Sequence, residues 1–364
     1  MNPGGAPPEK ILIVKLSAIG DVIQTLPLLA ALRREFPGAR IDWLVEEEAA
    51  GLLEGHPQID RLLVSRRKSW LRNIRKPGKF SATAGQIFGF LRELRQTEYD
   101  WVLDNHGVLK SGILVGLCRG RRKIGFRAAA GIADEGSYLF TRERYRSLPI
   151  ERHALERYLD LAAQLGVPTA GVPFEYPVSP ESLEAARGLL GGEGAGSRFL
   201  AVIHPLAKWD TKQWAPEKFA RLADGLAERG GRVVISGSPG DAAGVRRILE
   251  RSRNPARVLN LTGRTDLKTL AALFSLADVV ITPDTGPMHL AAAVKAPLVA
   301  LFGPTAPWRT GPYGEGAAVL RRALPCSPCF RKKCPTGECL ERIGVEEVLS
   351  AAEKKMAERR IAWP

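Results

Sequence analysis

Asp284, Thr285, Gly286 and His289 stand where an apolar strand gives way to a helix, in the stretch ADVVITPDTGPMHLAAAVKAPLVALFG (278–304). A turn of this kind suits an anion, because free backbone N–H groups and the positive end of the helix dipole converge there. Thr285 adds a hydroxyl, His289 an imidazole, and Gly286 lets a phosphate approach the backbone closely. An ordinary strand–helix turn with Thr285 as N-cap accounts for the same residues.

Three other strand ends carry chemistry. Ser17-Ala18-Ile19-Gly20-Asp21 closes the first apolar strand and opens the first helix. Gly20 permits a tight turn, and Asp21 is placed to accept a proton from a bound hydroxyl; it would equally favour the helix N-terminus by charge–dipole attraction. The loop has no GxGxxG, which argues against a dinucleotide fingerprint. HPLAKWDTKQW (204–214) sets Lys212 between Trp209 and Trp214, suited to a diphosphate or simply packed by aromatics. In SGSPGD (236–241), Asp241 follows a Gly-rich turn, where an acidic residue can bind ribose hydroxyls or cap a helix.

Charge points the same way. Net charge is +14, which favours acidic partners. Arg66, Arg67, Lys68, Arg72, Arg75, Lys76 and Lys79 crowd one segment, and Arg119, Arg121, Arg122, Lys123 and Arg127 another. Either run serves as a solvated face or as part of one basic surface. Nucleic acid is not expected, since no recognised module and little aromatic interleaving accompany the charge. Cys326, Cys329, Cys334 and Cys339 share one short segment. Their spacing fits structural thiols, a structural metal such as zinc, or a redox pair; Cys118 falls in an apolar helix and is expected in the core.

Those residues need elements to hold them. Strands are expected at 10–16, 41–45, 61–64, 100–104 and 123–126, and helices at 21–36, 86–96, 108–118 and 153–165. A Pro-rich and then Gly-rich passage (167–197) follows. The alternation restarts with strands at 198–203, 232–236, 258–261, 278–282 and 297–302. Helices at 216–229, 241–253, 267–276 and 344–359 accompany them. Regular alternation implies parallel sheets in doubly wound α/β domains. At 364 residues and 45% hydrophobic content the chain can bury two cores. The expected division is a flexible tail at 1–9, domains at 10–177 and 178–343, and a last helix at 344–364 returning to the N-terminal domain. Two such domains facing across a cleft would bind ligand there. No apolar run approaches the roughly 20 residues that span a bilayer, and the N-terminus lacks an apolar signal core. A cytoplasmic location is therefore expected.

Taken in order, these motifs resemble the ADP-heptose:lipopolysaccharide heptosyltransferases, glycosyltransferase family 9. The resemblance rests on ILIVKLSAIGDVIQTLPLLAALRREFP, DNHGVLKSGIL with RRKIGF after it, HPLAKWDTKQW, PDTGPMHLAAA, LFGPTAPWRTGPYG and CSPCFRKKCPTGECL, and covers nearly all of 10–350. It implies the two-Rossmann (GT-B) glycosyltransferase fold and inverting, metal-independent transfer with no cofactor. Asp21 would be the general base. Lys212, Thr285, Gly286 and His289 would meet the diphosphate of ADP-heptose, Asp284 would belong to the same donor site, Asp241 would meet the ribose, and Arg264 would lie near the base. Gly20, Arg66, Arg67, Lys110, Arg121 and Arg122 would meet the acceptor, Kdo-lipid A or a heptosylated inner core, at the anionic cytoplasmic face of the inner membrane. His106 stands where relatives often carry Gln, and Leu206-Ala207 where a small or hydroxylated pair is common. Which heptose is added, and to which acceptor, is left open. Other nucleotide-sugar transfer, an epimerase, and a basic membrane scaffold without turnover are the alternative readings.

Overall fold

The structure is a computed structural model that describes residues 6–129, 133, 135–191 and 196–358. The Gly-rich passage at 192–195, Met1–Gly5 of the tail and the final residues from Arg359 lie outside the described residues. The chain divides into two units at Phe174/Glu175.

In the first unit, strands β1 (Lys10–Val14), β2 (Arg40–Glu46), β3 (Arg61–Ser65), β4 (Glu98–Asp104), β5 (Arg119–Phe126) and β6 (Glu143–Tyr145) form one sheet. Their order is β3-β2-β1-β4-β5-β6, and every pairing is parallel. Helices cover both faces of such a sheet, so its central strands read as unbroken apolar runs. Ile11, Leu12, Ile13 and Val14 are accordingly fully buried.

The second unit repeats the plan. Strands β7 (Phe199–Ile203), β8 (Gly231–Ile235), β9 (Val258–Asn260), β10 (Val279–Pro283), β11 (Leu298–Phe302) and β12 (Ala317–Arg321) stand in the order β12-β11-β10-β7-β8-β9, again all parallel. In each sheet the chain builds outward in one direction, returns to the centre and builds outward in the other. The reversal falls between β1 and β4 in one sheet and between β7 and β10 in the other. Loops at the C-terminal ends of such strand pairs diverge and leave room for a ligand.

Several elements differ from the sequence expectation. The helix expected at 21–36 is two helices, Ile19–Ile23 and Leu26–Glu35. Pro27 explains the break: inside a continuous helix its ring would clash with the carbonyl of Ile23, whereas the first turn of a new helix accepts it. Thr25 bridges the gap, its hydroxyl donating to the Asp21 carbonyl at 2.8 Å. Asp21 therefore rides on a five-residue helix rather than a long one. Helix Phe80–Gln96 starts well before the expected residue 86, and helix Ala242–Leu249 ends before the expected residue 253. The edge strands β6 and β12 were not expected, since neither carries a buried apolar run.

The last helix, Val345–Glu358, belongs to the second unit. It packs on helix Pro216–Glu228 and on β10, β11 and β12, within the second unit. Val345, Val348, Leu349, Ala352 and Met356 form its apolar stripe and are buried in that unit's core. Among the described residues no helix is long and apolar enough to cross a membrane.

Candidate active site

At the C-terminal edge of the first sheet, the chain leaves β1 through Lys15, Leu16 and Ser17 and enters the short helix that carries Asp21. Asp21 is half-buried, and Gly20 beside it is buried. One carboxylate oxygen, Oδ2, accepts the Ala18 backbone N–H at 3.1 Å; the other, Oδ1, accepts the Tyr158 hydroxyl hydrogen at 2.8 Å. Burial alone would raise the Asp21 carboxyl. The Lys15 charge and the two hydrogen bonds outweigh it and hold the group below the usual carboxylate range.

Around Asp21 the end of β4 supplies Asp104, Asn105 and His106. Asp104 is almost wholly buried, and burial raises its carboxyl even though the His106 and Gly107 N–H groups donate to Oδ1. Burial, with Lys15 and Lys110 nearby, lowers His106 to about 3, so its ring is neutral at pH 7. The amide oxygen and nitrogen of Asn105, Nδ1 of His106 and Oδ2 of Asp104 are buried without a hydrogen-bond partner among the described residues. Buried polar atoms are normally satisfied, so this group is suited to a hydroxyl-rich ligand.

The acceptor residues expected from sequence do not all gather here. Lys110 does: its ammonium donates to Ser17 Oγ at 2.7 Å and pairs with Glu46 at 3.3 Å. Arg67 reaches the same Glu46 oxygen at 3.3 Å, and Lys68 its other oxygen at 3.8 Å. Arg66, just beyond β3, is exposed at this edge. Arg121 and Arg122 do not belong to the group. They lie in the first half of β5, where Arg122 is in register with Trp101, three residues short of the site edge at Asp104. At about 3.3 Å per residue that is roughly 10 Å away along the strand. Arg121 pairs with Asp100 at 3.2 Å, and Arg122 with Glu143 through two contacts of 2.7 and 2.6 Å. Their charges are matched locally.

The second unit places Lys212 on the short 3₁₀ turn Asp210–Lys212 that follows β7. Its ammonium lies 2.7 Å from Asp284 Oδ2, past the end of β10, and 4.6 Å from the centre of the Trp209 ring. The Thr305 hydroxyl donates to the same Asp284 oxygen at 2.6 Å. Lys212 thus spans the order reversal of this sheet and stops beside the start of helix Gly286–Ala293. Trp214 serves the core instead, buried against Phe219. Thr285 occupies the N-cap position, but its side chain makes no capping hydrogen bond, contrary to the plain cap reading. His289 is buried in the same helix.

Asp241 and Arg264 sit in adjacent loops after β8 and β9, joined by the Gly263 N–H donating to the Gly237 carbonyl at 2.8 Å. Asp241 Oδ2 takes both the backbone N–H and the hydroxyl of Ser238, each at 2.7 Å, so the carboxylate braces its own turn. Arg264 is exposed. The four-cysteine segment forms no ready metal site: among the described residues no three His, Cys, Asp or Glu side chains gather to hold an ion, and all four thiols are free. Its backbone packs instead on the loop after β11, where the Cys329 and Phe330 N–H groups donate to the Pro304 carbonyl, both at 2.9 Å. Thr211, next to Lys212, donates to the Arg331 carbonyl at 2.8 Å. The segment thereby braces the lysine's turn.

Replacing Asp284 by Ala would leave the Lys212 ammonium and the Thr305 hydroxyl without their shared acceptor. Breaking a buried pair costs about 3–5 kcal/mol, and the partial exposure of Lys212 puts this one near the lower bound. The expected result is a lower urea midpoint with an unchanged slope; an unchanged midpoint would show that the pair contributes nothing to stability.

Comparison with known proteins decides the family. The profile of glycosyltransferase family 9 (heptosyltransferase) matches residues 87–340. Lipopolysaccharide heptosyltransferase 1 of Pseudomonas aeruginosa is 33% identical over 340 residues, spanning 90% of this chain and 89% of the relative. The chain belongs to glycosyltransferase family 9. Among solved structures, the E. coli heptosyltransferase WaaC with ADP superposes with a TM-score of 0.76 at 26% identity, covering 95% of this chain and 99% of WaaC. E. coli ADP-heptose lps heptosyltransferase II gives a TM-score of 0.77 at 24% identity, covering 96% and 99%, a likeness of fold. This family 9 glycosyltransferase carries residues at its candidate site that sequence reasoning missed: Lys15, Glu46, Asn105, Tyr158 and Thr305. Lys15 left a signal, a lysine closing a strand buried on both faces. Tyr158 left none, since it meets Asp21 from 137 residues away in sequence.

Proposed function

We propose that the protein transfers heptose from ADP-L-glycero-β-D-manno-heptose to a hydroxyl of the Kdo or heptose inner core of lipopolysaccharide, inverting the anomeric centre. In this reading Asp21 takes the proton of the acceptor hydroxyl. The freed oxygen bonds to the anomeric carbon as the bond to the diphosphate breaks, and the electron pair leaves on ADP. Lys212 and the N-terminus of helix Gly286–Ala293 meet the charge that develops on the diphosphate. Asp241 would hold the ribose through its second oxygen, with Arg264 near the base, while Lys110, Arg67 and Arg66 would meet acceptor phosphates and carboxylates. A fixed cation and a helix dipole can carry this charge without a metal ion, so turnover is expected to be unchanged in excess EDTA; its loss on chelation and return with a divalent cation would contradict this.

The observation that carries the reading is Asp21 itself: a carboxylate held ionised at the order reversal of a parallel sheet, close to buried polar atoms that the protein leaves unpartnered. Its support from relatives is the heptosyltransferase name of the Pseudomonas aeruginosa protein and the ADP bound to WaaC. The test is ADP release by purified protein given ADP-heptose with Kdo-lipid A or heptosylated core. Release that requires both partners supports the reading, whereas preference for a UDP- or GDP-sugar would assign a different donor.

The acceptor's lipid places the work at the cytoplasmic face of an anionic membrane. Residues 61–92 contain no Asp or Glu among their many Arg and Lys, and Leu71, Phe80 and Phe88 there are largely exposed. Basic charge beside exposed apolar groups favours an anionic lipid surface. Flotation with vesicles containing phosphatidylglycerol, but not with phosphatidylcholine alone, is the expected result; no flotation with either would remove the membrane from the account.

A further inference from the structure

Tyr158 lies on helix Ala154–Gln164, and its hydroxyl is committed to Asp21 Oδ1 at 2.8 Å. On the face of its ring sits the ammonium of Lys15, 3.3 Å from the centroid. Lys15 is 1% exposed and is fixed by donating to the Asn105 carbonyl at 2.8 Å. The result is a chain of contacts from the end of β4 through the end of β1 to the helix and back to Asp21. A buried ammonium against an aromatic face is a strong contact, because little water competes for the cation.

We propose that Tyr158 and Lys15 are positioning residues for Asp21: Tyr158 aims the carboxylate, and Lys15 both seats the tyrosine ring and supplies the charge that keeps the carboxylate ionised. This rests on Asp21 being the general base. With Ala18 N–H on Oδ2 and Tyr158 on Oδ1, each oxygen has one fixed donor and keeps lone-pair capacity for an acceptor hydroxyl. Lys15, Tyr158, the Ala18 N–H and His106 act on the Asp21 carboxylate directly, and further titratable groups stand around them on the neighbouring elements. Lys15 follows β1, Asp104 ends β4 and neutral His106 lies just beyond it; Lys110 lies on helix Leu109–Leu117; Tyr158 and Arg157 lie on helix Ala154–Gln164. Burial lowers Lys15 itself to about 8, so it is mostly charged at neutral pH. A base works when deprotonated, and removing a donor or a cation that favours the carboxylate raises the pH needed to deprotonate it.

The experiment is the pH dependence of kcat and kcat/KM for wild type, Tyr158→Phe, Lys15→Met, Lys15→Arg and Asp21→Asn, each checked for folding by circular dichroism and melting temperature. Tyr158→Phe, which keeps the ring, is expected to lower kcat about tenfold, leave KM for ADP-heptose unchanged and move the acid limb up by about one pH unit. Lys15→Met should move it further, and Lys15→Arg should restore part of the shift. If Lys15→Met fails to fold, the Tyr158→Phe profile decides alone. Folded variants that lose rate with the acid limb in its wild-type place would reduce both residues to packing and overturn the proposal. Should Asp21→Asn retain wild-type turnover, the base assignment itself would fail, a separate outcome.

Discussion

Replacing Asp21 by Asn is expected to lower heptosyl transfer by about 10²–10⁴-fold, the usual contribution of a positioned general base. Asn keeps the size of the side chain and one accepting oxygen. With one oxygen it can accept only one of the two donors, the Ala18 N–H and the Tyr158 hydroxyl, that Asp21 now accepts on separate oxygens, and it cannot take a proton. The same bond to Ala18 makes Asp21 a brace for its own short helix, so two roles are present and must be separated. Loss of a cap costs about 1 kcal/mol, enough to lower the melting temperature by a few degrees but not to stop turnover. Loss of rate with ADP affinity intact, read by calorimetry on the folded variant, would identify the base. A lowered melting temperature with normal turnover would leave only the brace.

Lys212→Ala carries the second large effect. Removing one preorganised group that meets developing charge typically costs about 10²–10³ in kcat. The structure adds a reason for specificity: the ammonium is held at 2.7 Å by Asp284 and lies 4.6 Å from the Trp209 ring centre, a seat fitted to a compact charge on a flexible stem. Arginine presents a planar fork, so Lys212→Arg should recover little of the loss. Steady-state kcat and KM from ADP release test both variants. Wild-type values for Lys212→Ala would remove the lysine from the reaction and leave it a structural partner of Asp284.

Much of this was legible in the chain because parallel, doubly covered sheets write themselves as apolar runs. Ile11–Val14 and Val279–Ile281 are buried on both faces and so carry no polar residue. The residues that follow such runs fall at the C-terminal edge of the sheet by topology alone, which is why the sequence could place Asp21, Lys212 and Thr285 at that edge. What could not be read depends on contacts distant in sequence. Tyr158 is an unremarked aromatic on an amphipathic helix until the fold brings it to Asp21. Glu46 closes β2 as one acid among several, and only the fold surrounds it with Arg67, Lys68 and Lys110. Arg121 and Arg122 show the opposite error. A basic run looked like a ligand surface, yet the register of β5 puts these residues away from the site edge, beside acids that match them. The cysteine spacing left structural thiols, a metal site and a redox pair open, because the segment's backbone bonds to Pro304 and Thr211 are invisible in a list of thiols.

The most direct test of base-assisted, inverting heptosyl transfer is to follow ADP-β-heptose and a defined Kdo-bearing acceptor with the wild-type protein by NMR, observing the anomeric carbon throughout. An α-linked heptoside formed in step with free ADP is the expected result. A β-linked product, or ADP accumulating with free heptose and no glycoside, would contradict it.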